Sequence, residues 1–393
     1  ALDGAAGGAA WPGASVAAHR FQCQPEAFLG VIRLAIAFRL LALVAWRRAP
    51  LLALVSAAAW ATLVVGETVT YHELVEPLGV FDDAACASHS LTLPAARGTA
   101  SRRVVVSAHL DSAHEFRPFA LLGTASIPVL IYGAVEPLVA MVALALGAAF
   151  RGCKGLSGRI RWTMAAVTVF TLPFFLFFLG DYVVGASDNL SSVAVLGQLA
   201  RTLSAERASG ALSADAEMVL LATSGEEAGL RGAKRYVEEH AASLLAIDTS
   251  VIVLEQCYEA STLKLTPGEV FTNAWHSPWL GAVLTEAAAE AAAEKTSPDY
   301  GPLPAAVLPF GATDATPFTH AGVAAAVLSC APYDRMPPNY HTKLDTADLV
   351  EEEALLRMLD VTTRAVVKLS HGGGRRESSE ASVDETSEGR AEL

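Results

Sequence analysis

Residues 104–111 read VVVSAHLD. Three consecutive valines followed by Ser and Ala predict a buried strand over Val104–Ala108, and the chain turns polar at His109 and Asp111, just past the strand's end. The same grammar recurs along the sequence. LLATSGEEAGL closes a strand over Met218–Thr223 and delivers Glu226 and Glu227; VIVLEQ closes one over Ser250–Leu254 and delivers Glu255. A fourth strand, Val323–Ser329, precedes NYHTKLDT, which carries Tyr340 and His341. Helical periodicity falls between them, at Ser191–Leu203, from Gly229 to about His240, at Trp275–Glu294 and at Ala347–Leu369. GASDNLSS sets Asp188 immediately before the first of these helices. Alternating strand and helix predicts an α/β domain with a mixed, largely parallel sheet and helices on both faces. In such a sheet, catalytic groups gather at the carboxyl ends of the strands.

The composition does not fit an ordinary soluble enzyme of 393 residues. Apolar residues make up 52% and charged residues only 18%, against about 25% charged in typical globular chains. General disorder is excluded. The formal charge of −13 argues against a nucleic-acid partner, which selects a basic face. The apolar excess has an address. One block runs from Pro118 to Phe150 with Glu136 as its only charge and resumes from Trp162 to Gly180 with none; another runs from Phe28 to Gly66 around Arg47-Arg48-Ala49-Pro50. Each piece suits a hydrocarbon layer of about 30 Å, which takes roughly 20 residues to cross.

These blocks predict transmembrane helical hairpins at 26–68 and 118–180, the second interrupting a catalytic domain at 69–370. A leader at 1–25 and an acidic tail at 371–393 are expected to lack order. The basic residues Arg151, Lys154, Arg159 and Arg161 read as the connecting loop of the second hairpin, and Arg47 and Arg48 as that of the first. Short basic loops stay cytoplasmic, so the catalytic domain is expected on the extracytoplasmic side of the lipid bilayer. The apolar block also lies between Asp111 and Asp188. Two polar residues meant for one site return to it only if the spans between them are even in number.

Two imidazoles and several carboxylates suit a borderline divalent ion such as zinc, and a carboxylate bridging two ions would let both act on one substrate. In His109-Leu110-Asp111 the acid can accept the second imidazole N–H and fix the tautomer. In Glu226-Glu227 adjacent side chains diverge, so one can bind metal while the other serves as general base. The order HxD, GAxDN, EE, a further carboxylate and YHT, with GASDNLSSVAVL, TSGEEAGLRGAKRYV, GATDATPFTHAGVAAAVLS and YHTKLDT around it, resembles the dinuclear zinc aminopeptidases over roughly residues 100–370. The resemblance implies two zinc ions per subunit, one on His109, Asp188 and Glu255, the other on Asp188, Glu227 and His341. It implies Glu226 as general base, Asp111 as the orienter of His109, and Tyr340 as a hydroxyl donor to the oxyanion. The expected activity is removal of N-terminal residues from peptide substrates by metal-activated water. Three departures from the family pattern stand out: Glu255 where Asp is commoner, Ser192 where Gly is, and, most conspicuous, the 77 residues that separate Asp111 from Asp188.

An acylamino-acid amidohydrolase shares the ligand order, although little room is left before His341 for the lid that such enzymes carry. A non-catalytic membrane receptor or scaffold on a peptidase fold is the alternative from another class. Asp314 in GATDATPF is expected to support the site rather than bind metal. His240 and His276 read as helix-end or surface residues, and Asp345 as solvated or structural. The five cysteines, odd in number and without CxxC spacing, predict no disulfide framework.

Overall fold

A computed structural model describes residues 11–46, 48–128, 154–295, 300–332, 337 and 339–372, with scattered positions between 135 and 146. Its centre is a seven-stranded sheet of β1 (Ser15–Cys23), β2 (Ala84–Leu93), β3 (Arg102–His109), β4 (Ala216–Thr223), β5 (Asp248–Cys257), β6 (Lys264–Thr266) and β7 (Ala324–Cys330), in the order β1-β2-β4-β3-β5-β7-β6. The four strands β4, β3, β5 and β7 run parallel, and β1, β2 and β6 pair antiparallel at the two edges. The expected mixed, largely parallel sheet is present.

Successive side chains of β3 point to opposite faces, which is why its apolar run is continuous rather than alternating. Val104, Val106 and Ala108 pack with Leu196 and Leu199 of one helix and Leu284, Met358 and Val361 of two others. Val105 packs on the other face with Val251, Val253, Tyr236 and Phe318. The helices, in chain order, are α1 (Ala27–Ala45), α2 (Pro50–Thr68), α3 (Arg117–Leu122), α4 (Lys154–Leu176), α5 (Ser191–Ser209), α6 (Arg231–Ala246), α7 (Pro278–Glu294), α8 (Ala315–His320) and α9 (Glu352–Ser370). Helices α5, α7 and α9 cover the first face of the sheet, α6 and α8 the second.

Among the described residues, α1 and α2 are the two helices long and apolar enough to cross a membrane. Most of the expected first leg of the second hairpin lies outside the described residues; its second leg is α4. Lys154, Arg159 and Arg161 do not form a loop there but occupy the first turns of α4, since nothing between Lys154 and Trp162 is incompatible with continuing the helix. The two apolar blocks pack on each other through Trp60, Val64 and Met164. Arg39, a charge inside the apolar helix α1, is buried: its Nε donates to Thr168 Oγ1 of α4 at 2.8 Å and its guanidinium lies 4.8 Å from the Trp60 ring centroid.

Two expectations at the amino end are corrected. Residues 15–23, assigned to a leader, form edge strand β1, tied in register from Ser15↔Thr92 to Cys23↔Ala84. Its small residues carry no hydrophobic alternation, so the pairing partner rather than local pattern makes the strand. The ladder also brings Cys23 and Cys86 together in a disulfide across 63 residues of sequence, a separation at which spacing rules are silent.

Candidate metal centre

Every expected ligand sits at or beyond the carboxyl end of a parallel strand, or at the head of a helix facing it. His109 ends β3, Glu226 and Glu227 follow β4, Glu255 lies near the end of β5, and His341 follows β7. Asp188 precedes α5 in a turn opened by Gly185, whose φ is +67°. A Cβ on Gly185 would lie 2.7 Å from the carbonyl oxygen of Asp188 and 2.7 Å from Ser112 Cβ. The glycine of GASDN therefore lets the turn close over the ligand.

Asp188 stands between the two histidines. Its Oδ1 is 3.2 Å from His109 Nε2 and its Oδ2 is 3.2 Å from His341 Nε2. Glu255 Oε2 approaches His109 Nε2 at 3.5 Å, and Glu227 Oε1 approaches His341 Nε2 at 3.2 Å. Two groups of possible ligands share Asp188, namely His109, Asp188 and Glu255, and Asp188, Glu227 and His341, while a third at the same centre joins His109 with Glu226 and Glu227. Glu226 Oε2 is 4.0 Å from His109 Nε2, at the rim of the first group.

The donor set fits a pair of divalent cations. Glu255 Oε1 and His341 Nδ1 are buried without a hydrogen-bond partner and Glu227 Oε1 meets only the His341 imidazole, and a carboxylate oxygen left so by folding is a cost unless an ion meets it. His109 Nδ1 lies 3.1 Å from the backbone carbonyl oxygen of Asp111. A carbonyl only accepts, so Nδ1 carries a proton and Nε2 is the nitrogen that a bound cation would meet. Burial opposes a charged His109, but Glu226, Asp188 and Glu255 outweigh it and raise its pKa well above the ordinary value. Burial pushes Glu255 up to about 7, with Asp188 and Asp314 adding to the shift and His109 opposing it. Burial also raises Glu226 well above the carboxylate range, reinforced by Glu227, Glu255 and Asp314 against the pull of His109. Asp188 behaves in the opposite sense: despite burial, hydrogen bonds from both imidazoles hold it well below that range.

Asp111 departs from its expected role. Its carboxylate accepts the backbone N–H of Glu226 at 3.2 Å and of Glu227 at 3.1 Å, while Oδ1 stays 3.8 Å from His109 Nδ1. The carbonyl of Asp111, rather than its side chain, orients the ring. Tyr340 stacks on His341 with centroids 3.9 Å apart, and Phe116 meets the same imidazole edge-on at 4.6 Å. Burial pushes the Tyr340 phenol well above its ordinary range, so it keeps its proton as a donor must. Asp314 is buried beside Thr223, whose hydroxyl donates to it, and burial pushes it up to about 6; it is in none of these ligand groups.

Further residues support the centre. Asp345 is buried and accepts from the Ser187 N–H and hydroxyl at 2.8 and 2.6 Å and from the Asp188 N–H at 3.2 Å. Its position in YHTKLDT was the available signal. Asn189 donates to Glu255 Oε2 at 3.2 Å and accepts the Gln256 N–H, while Gln256 Nε2 donates to Asp188 Oδ2 at 3.0 Å. His276 is not at the surface: it is buried, with Nε2 3.1 Å from Glu269 Oε1. Glu269 in turn accepts the Thr313 N–H at 3.1 Å and the Thr316 hydroxyl at 2.5 Å, fixing the loop that carries Asp314.

The fold resembles solved structures at low identity. These include BSAP, a zinc aminopeptidase from Bacillus subtilis (18% identity, TM-score 0.46, 74% of this chain and 51% of that one). An aminopeptidase from Aneurinibacillus sp. strain AM-1 is comparable (19%, 0.45, 73% and 48%), as is Porphyromonas gingivalis glutaminyl cyclase (11%, 0.45, 88% and 98%). The chain spans about half the length of the two aminopeptidases. No match is found among curated proteins. The family model for peptidase family M28 matches residues 168–366, half of the chain. That range contains Asp188, Glu226, Glu227, Glu255 and His341, in the order that the motifs set. The chain belongs to peptidase family M28.

Proposed function

We propose that this chain is a membrane-anchored dinuclear zinc aminopeptidase. His109, Asp188 and Glu255 hold one ion and Asp188, Glu227 and His341 the other. The observation that carries the reading is Asp188, whose two oxygens each lie 3.2 Å from a different imidazole. Two ions bound there would polarise a peptide carbonyl and make a water molecule acidic enough to attack it. Glu226 stands beside the ligands without belonging to the pair, and its raised pKa suits a base that must take a proton from water and return it to the leaving amine. The Tyr340 hydroxyl supplies a donor to the oxygen on which charge develops.

Membrane anchoring is supported by the outward apolar face of the amino-terminal hairpin, where Val44, Leu51 and Val55 are exposed by more than half. A helix of a soluble core would hide them. Arg48 between α1 and α2, together with the Cys23–Cys86 disulfide, favours an oxidising, extracytoplasmic setting for the catalytic domain.

The test of the chemistry is Glu226→Gln in the full chain. Loss of peptide hydrolysis with two zinc ions retained is expected, and undiminished turnover would overturn the assignment.

A further inference from the structure

The chain between α2 and β2 does more than connect them. Arg231, at the first position of α6 and only five residues beyond Glu226, is buried to 1% exposure and meets three carboxylates. Its NH2 lies 3.1 Å from Glu67, its NH1 2.9 Å from Glu73 and its Nε 3.1 Å from Glu76. Arg235 also pairs with Glu73, and Lys234 Nζ donates to the Tyr71 carbonyl at 2.5 Å. All three acceptor carboxylates come from the end of α2 or the linker after it. From α1, Phe28 lies over Gly229, where a Cβ would come within 2.9 Å of its ring, and its centroid is 5.1 Å from that of Tyr71. The amino-terminal module is thus fastened to the segment that presents Glu226 and Glu227.

Tyr71 is the residue that this fastening aims. Its φ of +56° is unusual for a side chain of this size, and the clamp of ion pairs on either side holds it there. The phenol oxygen lies 3.9 Å from where a Cβ of Gly311 would be, three residues before the buried Asp314. Glu226, Glu269 and Glu227 are the charges that act on it, and it is in turn among the groups that act on Tyr340. Burial keeps the phenol protonated, its pKa pushed well above the ordinary range. A protonated phenol has one hydrogen to donate.

We propose that the linker after the amino-terminal hairpin is one wall of the active site, and that the Tyr71 hydroxyl donates a hydrogen bond to the bound peptide beside Glu226 and Glu227. This rests on the peptidase reading above and adds a substrate contact from outside the stretch that the family model matches. Membrane anchor and substrate recognition then share one segment.

Binding and turnover separate the two claims. In the full-length Glu226→Gln protein, loaded with zinc and held in detergent, the Kd of an aminoacyl 4-nitroanilide is measured by titration calorimetry with Tyr71 and with Tyr71→Phe. The loss of one hydrogen bond is expected to raise Kd about tenfold with zinc content and melting temperature unchanged. In the active protein, Tyr71→Phe should lower kcat/KM by a similar factor, mostly through KM. Equal Kd and equal kcat/KM for Tyr and Phe would overturn the contact. A parent protein that hydrolyses none of a panel of such anilides or of unmodified peptides would instead overturn the peptidase reading. A Tyr71→Phe protein that fails to fold is replaced by Glu73→Gln, which loosens the clamp behind an intact Tyr71. It should raise KM, and an unchanged KM counts against the wall.

Discussion

The Asp111 carboxylate accepts the backbone N–H of Glu226 at 3.2 Å and that of Glu227 at 3.1 Å. One side chain at the end of β3 therefore sets where the residues after β4 begin their turn. The candidate base and one candidate ligand are positioned by an acid that itself belongs to no ligand group.

Asp111→Asn keeps the size of the side chain but leaves a single carbonyl oxygen for two N–H groups. One of them would face an amide NH2, and the 226–227 turn would shift. A fall in kcat of about 10- to 100-fold is expected, as for other groups that support metal ligands, with the zinc content near that of the parent. Steady-state kinetics with metal analysis on the same preparation decides it. Loss of zinc with kcat per bound metal intact would contradict the positioning role.

Metal uptake should release protons. Burial alone would lower the pKa of His341, but Glu227 and Asp188 outweigh it and raise the group to about 10 in the metal-free site. At pH 7 the imidazole carries a proton that must leave before Nε2 can bind an ion, so affinity rises as pH approaches 10. Calorimetric titration of zinc into the metal-free protein, in buffers of different ionisation enthalpy, should show proton release. Its magnitude should fall in His341→Ala. Heats independent of the buffer would refute the argument.

Removing Arg231 should be far more damaging than removing its neighbour. Arg231→Met leaves Glu67, buried to 0% exposure, and two largely buried carboxylates without their shared partner. The cost of such an uncompensated buried charge is about 3–5 kcal/mol. Arg235 is more exposed, and Arg235→Met is expected to cost no more than about 1 kcal/mol. Thermal unfolding of both variants in the same detergent tests the ranking, which comparable melting temperatures would reverse.

The alternation of strand and helix was legible because the central strands are buried on both faces, so Val104–Val106 and Val251–Val253 read as unbroken apolar runs. The ligands were legible because each follows such a run or heads a helix. The function of Asp111 was not, since its carboxylate bonds to backbone more than a hundred residues away, and backbone donors leave no mark on sequence. Edge strand β1 was hidden for a related reason: its partner β2 lies beyond an entire helical hairpin. Glu67, Glu73 and Glu76 carry no motif, and only their convergence on Arg231 gives them meaning.

Each apolar excursion leaves and re-enters the catalytic domain through a paired antiparallel ribbon. The first departs after β1 and returns into β2; the second departs after His114–Phe116 and returns through Leu179–Tyr182, which pair with each other. The two ends of the first are further joined by the Cys23–Cys86 bond. In the language of closed loops, each excursion is a ring whose neck lies in the folded domain. A single nick anywhere between residues 24 and 83 would open the ring without parting its two ends. If that segment is the proposed anchor, one cut in it does not shed the domain from a bilayer while the neck holds. Separating the two ends of that segment takes reduction of the disulfide together with unzipping of the ladder.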